Sequence, residues 1–465
     1  MLLGHTERTD GLEEGNPAGR AALAAGTSMA ARAAGPPIYT WAQHPRAFDN
    51  ISPEPTMPLI NDIDLLHLPI ASAEFGKNPV PFLESARAKH DWLAASDLGY
   101  VVTGYRAIDE ILRLDNKLKM PGEEIVQIMH AEGTGWGRFA VDQMLVSSGE
   151  RHSRLRGSVK GAFGPGSVNA LRPIMRETIS TILDRWAPTG SFDFAEFAAD
   201  FPVRVMFALL GVSTGRLPEI AACLEIHGES FNLEVEKMPV IEEGYQTLWR
   251  FVDEVIKERG PNAGRGDLLD EMIAANSAGT LSDVEIRQLL ILLFAAGYDT
   301  TKNLMILLMH SLLQHPQVYR RCAEDSDFVK KVVKEQLRFA TPSNTMRSVT
   351  ETFEYRGVVI PKGTMLIFPL SLSGRDPAVF SDPNLFNPER AEKNSSEAFG
   401  RGMHLCLGMF LAIANVEEGF KLIPQRIANP RLAGEVHWKL FPGVWGITSL
   451  PITFDPAKKQ IQDAG

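Results

Sequence analysis

The chain has 465 residues, 44% hydrophobic and 22% charged, a balance that supports a large globular core and excludes a disordered or fibrous protein. Lys and Arg number 47 against 57 Asp and Glu, a net charge of −10 that argues against nucleic-acid binding and confines any basic surface to local patches. Three cysteines, Cys223, Cys322 and Cys406, are too few and too scattered for a disulfide framework or a zinc site, which fits a reducing cytoplasm.

Residues 1–56 read as a disordered leader and extended arm, and residues 57–465 as one unit without an internal linker. The Ala/Gly-rich stretch 19–35 lacks the aliphatic run of a signal peptide or membrane anchor, which points to a cytoplasmic protein. "GYVVTGY", residues 99–105, is strand-like and is expected to pair with a late sheet. In "GERHSRLRGSV", His152 and Arg156 are four apart and share a helical face. Past mid-chain, Ser282 and Glu285 form a capping-box pattern and His315-Pro316 closes the segment, predicting a helix of roughly 34 residues, about 50 Å long. Asp299, Lys302 and Asn303 in its middle would be costly in lipid, so a buried central helix is the reading. Within it "AAGYDTT", residues 295–301, replaces large aliphatics with small and polar residues, as if something approaches the backbone there.

Farther on, "RSVTETFEYRGVVIPKGTMLIFPLSL" gives short β-type runs around a turn signal, so the fold class is mainly α with a small β region. "FGRGMHLCLG", residues 399–408, sets three glycines about Cys406, and the apolar "LGMFLAIANV" after it reads as a helix. Cys406 then stands just before a helix N-terminus, where the dipole and free N–H groups favour the thiolate, making it a ligand or a nucleophile.

"FGRGMHLCLG" resembles, at each defined position, the heme-binding loop of the cytochrome P450 superfamily. "AGYDTT", "EQLR" and "FNPER" follow the family's pattern in order, and the resemblance covers roughly residues 60–455. It implies a triangular helical prism around heme b (iron protoporphyrin IX), of the bacterial soluble, ferredoxin-dependent type. Cys406 is then the metal ligand, Phe399 shields its sulfur, and Gly408 lets the loop pass under the porphyrin. His152, Arg156, Arg347 and His404 are the implied propionate partners. Glu335, Arg338 and Arg390 form the implied structural trio. Asp299 and Thr300 are the implied catalytic pair that relays protons to O2.

By helix spacing from Thr300, Leu292, Ala295 and Ala296 line the substrate pocket, joined by Thr345 and Thr448, so a small apolar terpenoid, aromatic or steroid-like substrate is expected. The implied activity is monooxygenation, with electrons from a ferredoxin and a ferredoxin reductase, since no flavin or iron–sulfur motif occurs. Lys160, Arg320, Arg321, Lys330, Lys331 and Lys334 could form the basic patch for an acidic ferredoxin. In "LAIAN", Ile413 and Asn415 stand where the family commonly has Arg and Glu, which puts a proximal polar contact in doubt. Two other classes stay open: a heme-thiolate sensor of gas or ligand without turnover, and a Cys406 nucleophile with His404 or His152 as base.

Overall fold

The computed structural model describes residues 57–260, 264–391 and 397–456, so the leader expected at residues 1–56 lies outside the described residues. The helices begin with α1 (Ala73–Lys77), α2 (Val80–Lys89), α3 (Tyr105–Ile111), α4 (Gly122–Ile128), α5 (Gly135–Asp142), α6 (Gly149–Gly157), α7 (Pro165–Trp186) and α8 (Phe194–Leu209). They continue with α9 (Leu217–Glu229), α10 (Met238–Arg259), α11 (Leu268–Ser277), α12 (Asp283–Gln314), α13 (Pro316–Glu324), α14 (Phe328–Phe339) and α15 (Met409–Arg426). The strands are β1 (Leu93–Ser96), β2 (Gly99–Val102), β3 (Leu118–Lys119), β4 (Ser191–Asp193), β5 (Thr345–Val349) and β6 (Phe353–Tyr355), then β7 (Val358–Ile360), β8 (Met365–Phe368), β9 (Ile427–Leu432), β10 (His437–Trp438), β11 (Ile447–Ser449) and β12 (Pro451–Pro456).

The central helix forms as its sequence predicts. Ser282 Oγ accepts the Glu285 N–H, Glu285 returns a bond to the Ser282 N–H, and α12 runs 32 residues to the break at His315-Pro316. It is apolar and long enough to cross a membrane, yet 78% of its most apolar window is buried inside the protein, as a core helix requires. Gly297 in its middle has a packing reason: a Cβ there would lie 2.6 Å from the Met206 sulfur, so the side chain of Met206 on α8 packs against the α12 backbone at this point.

The main sheet has the order β1-β2-β8-β5-β3. The early strand β2 runs parallel to the late β8, pairing Tyr100 with Leu366 and Val101 with Ile367, which joins the two ends of the chain as expected. The strand is shorter than its sequence pattern, because Tyr105 already begins α3. A second apolar cluster, around Ile60, Trp92, Ile108, Val358 and Phe368, packs this sheet apart from the main helical core.

Candidate functional site

The cysteine loop is shaped by glycines. Gly400 and Gly402 take left-handed φ values of 71° and 69°, and a Cβ on Gly402 would sit 2.5 Å from both Leu112 O and Asp115 Oδ1. Asp115 accepts the Met403 N–H at 2.9 Å, the Cys406 N–H donates to Phe399 O at 3.0 Å, and α15 starts at Met409. Cys406 is exposed, and nothing lies within 4 Å of where a Gly408 Cβ would be, so the loop leaves its sulfur accessible. Phe399 is half-buried beside it. The protein packed round the loop pushes the Cys406 thiol up, opposed by the Gly408 N–H and the Arg156 charge, which favour the thiolate.

Four cation-capable side chains meet near this loop. Arg347 on β5 is 7% exposed and forms no ion pair among the described residues; its Nη1 donates to Thr345 Oγ1 at 2.6 Å and Met346 O at 2.8 Å. Burial, opposed by Asp115, pushes its pKa down to about 10. His404 is pushed down to about 3, by burial first and then by Arg347, His152 and Arg156. The His152 and His404 rings meet edge to face with centroids 4.9 Å apart, and Arg156 Nη2 donates to Leu405 O at 2.6 Å. Two guanidinium groups and two imidazoles gathered at one loop, with Asp115 the acid that faces Arg347 and His152, supply donors that can bind an anion. His152 and Arg156 also line a cleft of 1210 Å³ that opens to solvent past Lys119, Lys160 and Met403.

On α12, Leu292, Ala296 and Thr300 share one face; Ala296 is exposed in mid-helix, and Thr300 Oγ1 donates to Ala296 O at 2.8 Å. Ala295 is turned aside and packs against the core. Asp299, the residue before Thr300, points about 100° round the helix from it, is 4% exposed, and is held by Lys439 Nζ at 3.1 Å, Lys302 Nζ at 3.2 Å and Asn303 Nδ2 at 2.8 Å. Two ammonium groups keep its pKa below the usual carboxylate range in spite of burial.

Strand alternation buries Ile447 and leaves Thr448 exposed, donating to His437 O at 3.3 Å. Thr345 has its hydroxyl engaged by Arg347, so it orients the guanidinium rather than standing free. The basic patch is partly neutralised, with Lys330 on Asp327 at 3.0 Å and Arg321 on Glu389 at 3.1 Å; Lys160, Arg320, Lys331 and Lys334 remain exposed. Glu335, Arg338 and Arg390 do assemble. Glu335 accepts two bonds from Arg338, at 2.7 and 2.9 Å, one from the Asn387 N–H at 2.8 Å and one from Arg390 at 3.3 Å. Sequence reasoning missed Glu225, His227 and Lys439, which surround Asp299. The one local signal was Lys302, an unexplained charge in the central helix.

The sequence model of the Cytochrome P450 family matches residues 100–426. A luteothin monooxygenase from Streptomyces thioluteus is 31% identical over 386 residues, covering 81% of this chain and 93% of that protein. A biotin-biosynthesis cytochrome P450 from Bacillus subtilis (strain 168) is 28% identical over 403 residues, covering 83% and 98%. Among solved structures, P450BioI in complex with hexadec-9Z-enoic acid ligated acyl carrier protein is similar with a TM-score of 0.75 at 25% identity, covering 82% of this chain and 100% of that one. The fold and its site thus define a heme-thiolate oxygenase. This chain belongs to the cytochrome P450 family of monooxygenases, whose cofactor is heme b. The residues present fit that group: one exposed sulfur on the glycine loop can take the iron, and Arg347, Arg156, His152 and His404 offer donors for two propionates.

Proposed function

We propose that Cys406 holds the iron, that Arg347, His404, His152 and Arg156 hold the propionates, and that the enzyme inserts one oxygen atom into a small-to-medium apolar substrate, terpenoid, aromatic or steroid-like. The carrying observation is the buried Arg347 guanidinium, which forms no ion pair among the described residues, beside His404, His152 and the cysteine loop. The balanced reaction is RH + O2 + 2 electrons + 2 protons giving ROH + H2O. Bound heme supplies the oxidising centre, tuned by its thiolate.

The chain's own residues position substrate and protons. Leu292 and Ala296 offer an apolar wall without charge, and Ala296 leaves room above the α12 backbone. Thr300 Oγ1 spends its hydrogen on Ala296 O, so its lone pairs face the cavity and accept a hydrogen bond from a water or a protonated oxygen there. Asp299 is the acid beside it, and its proton traffic is governed by the lysines that hold it. Glu335, Arg338 and Arg390 are structural.

Electrons come from a ferredoxin served by its reductase, and the exposed Lys160, Arg320, Lys331 and Lys334 suit an acidic donor of that kind. A cytoplasmic location is consistent with free, buried Cys223 and Cys322. The test is a Soret titration of the ferric enzyme with camphor, naphthalene, testosterone and myristic acid, preceded by the ferrous–CO spectrum. A thiolate-type spectrum, lost in Cys406→Ala, and a high-spin shift with a compact apolar compound are expected. A shift with myristic acid alone would overturn the compact-substrate reading, and a thiolate spectrum surviving Cys406→Ala would overturn the ligand assignment.

A further inference from the structure

The cysteine loop begins on a buried acid. Glu397, two residues before Phe399, is 0% exposed. Its backbone belongs to the turn that carries the sulfur. The Glu397 carbonyl accepts the Gly400 N–H at 2.8 Å, its N–H donates to Ser373 Oγ at 3.1 Å, and the Phe399 carbonyl accepts the Cys406 N–H at 3.0 Å.

Glu397 and Asp109 of α3 compete for one guanidinium. Arg401, set between the left-handed Gly400 and Gly402, donates from Nη2 to Glu397 Oε1 at 2.8 Å and from Nε to Asp109 Oδ1 at 2.8 Å. Glu397 Oε2 is 2.8 Å from the same Nε, whose single hydrogen is already given to Asp109, and so is left without a hydrogen bond. A buried carboxylate oxygen with no donor is the atom best placed to take a proton.

The charged and titratable groups that face Glu397 are Arg401 from its own loop and Tyr105, Asp109 and Arg113 from α3. The turn Leu370–Arg375 offers the Ser373 hydroxyl, and Asp376 after it accepts the Tyr105 N–H at 2.8 Å. Burial pushes the Glu397 carboxyl up to about 7, opposed by Arg401, the Tyr105 hydroxyl and Arg113 and helped by Asp109. Asp109, despite partial burial, is held below the usual carboxylate range by Arg113 and Arg401. Of the two acids on one guanidinium, Asp109 stays the anion and Glu397 is the one that changes.

Negative charge added at the sulfur's metal favours the protonated form of a buried acid on the same loop, and by reciprocity a proton there favours the added charge. We propose that Glu397 is a positioning residue for electron uptake, a buried carboxylate that takes a proton from water as the iron held by Cys406 accepts an electron. The step balances as ferric iron, one electron, one proton and the Glu397 carboxylate giving ferrous iron and the Glu397 carboxylic acid. The electron comes from a one-electron donor of the ferredoxin class. Once neutral, Glu397 leaves Arg401 to Asp109, so the loop stays tied to α3 while its own negative charge is removed. This inference rests on the reading of Cys406 as the iron ligand.

The experiment is a spectroelectrochemical titration of the heme-loaded wild type, Glu397→Gln and Arg401→Gln between about pH 5.5 and 8.5, with dithionite as reductant and mediator dyes. Reduction is expected to raise the proton affinity of Glu397 about three- to tenfold, the coupling of charges on one loop at an effective dielectric constant of about 20. At about 59 mV per tenfold, the wild-type midpoint then falls across this range by about 30–60 mV more than that of Glu397→Gln. Arg401→Gln, which removes a charge opposing protonation, is expected to move the fall to higher pH. Equal pH dependence in wild type and Glu397→Gln, or a fall that Arg401→Gln does not move, would overturn the inference. An infrared difference spectrum of the wild type on reduction needs no variant. A carboxylic-acid carbonyl band that appears on reduction and shifts in D2O is expected, and its absence would equally overturn the inference.

Urea denaturation gives a readout independent of the iron's charge. The unfolded carboxyl loses its proton near 4.5 and the folded one near 7, so the folded state holds more protons between them and stability falls as pH rises through that window. Glu397→Gln is expected to flatten this slope, and an unaltered slope would count against a proton on Glu397. A wild-type ferrous–CO spectrum that is not of the thiolate type would instead overturn the ligand assignment, and the urea profile would still decide whether Glu397 holds a proton.

Discussion

Replacing Glu335 with Gln removes the one negative charge on which two buried guanidinium groups converge. The substitution keeps the volume, and a carboxamide oxygen can still accept from the Asn387 N–H or from one Arg338 nitrogen. Its NH2, however, faces donors, and Arg338 is left with the carbonyls of Gly374, Pro383 and Leu385, while Arg390 keeps among its bonds those to the Ser381, Asp382 and Leu385 carbonyls. Breaking a buried pair costs about 3–5 kcal/mol, and the surviving carbonyl contacts set the expectation at the lower end, about 3 kcal/mol. Against a total folding stability of roughly 5–15 kcal/mol, that is a large fraction. Urea denaturation of the heme-loaded protein, followed by far-ultraviolet circular dichroism, reads the loss as a lower midpoint at unchanged slope. A loss under about 1 kcal/mol would refute the reasoning, because it would mean that the carbonyl cage alone stabilises both guanidinium groups.

Three other outcomes follow from the geometry. Arg347→Met should speed heme loss to apomyoglobin about ten- to a hundredfold, since a hydrogen bond to a charged group is worth about 1.5–3 kcal/mol; an unchanged rate would remove Arg347 from the propionate site. Gly297→Val forces a side chain into Met206 and should cost about 1–3 kcal/mol in the same urea assay, whereas an open helix face would tolerate it. His227 is held neutral down to about 4 by burial, against the pull of Asp299, while the unfolded residue takes its proton near 6.5. The unfolded state therefore binds more protons between those values, so stability present above pH 6.5 is lost as pH falls towards 4, by up to about 3 kcal/mol. His227→Phe should flatten that acid limb, and an unaltered limb would assign the acid sensitivity elsewhere.

The sequence alone determined those features whose physics is local. The capping box and the His-Pro stop delimit α12 because both act within one helical turn of each end. The glycines around Cys406 announce a loop that only left-handed residues can form, and the Glu335–Arg338 spacing places both groups on one helical face. The pairing of an early strand with a late sheet was likewise legible from pattern.

Tertiary structure decided what depends on groups far apart in the chain. That Asp299 turns from Thr300 into a lysine clamp required Lys439, 140 positions away, and Glu225 on α9. Charge interactions and desolvation are set by distance through space, and no spacing along the chain encodes that distance until the fold has closed.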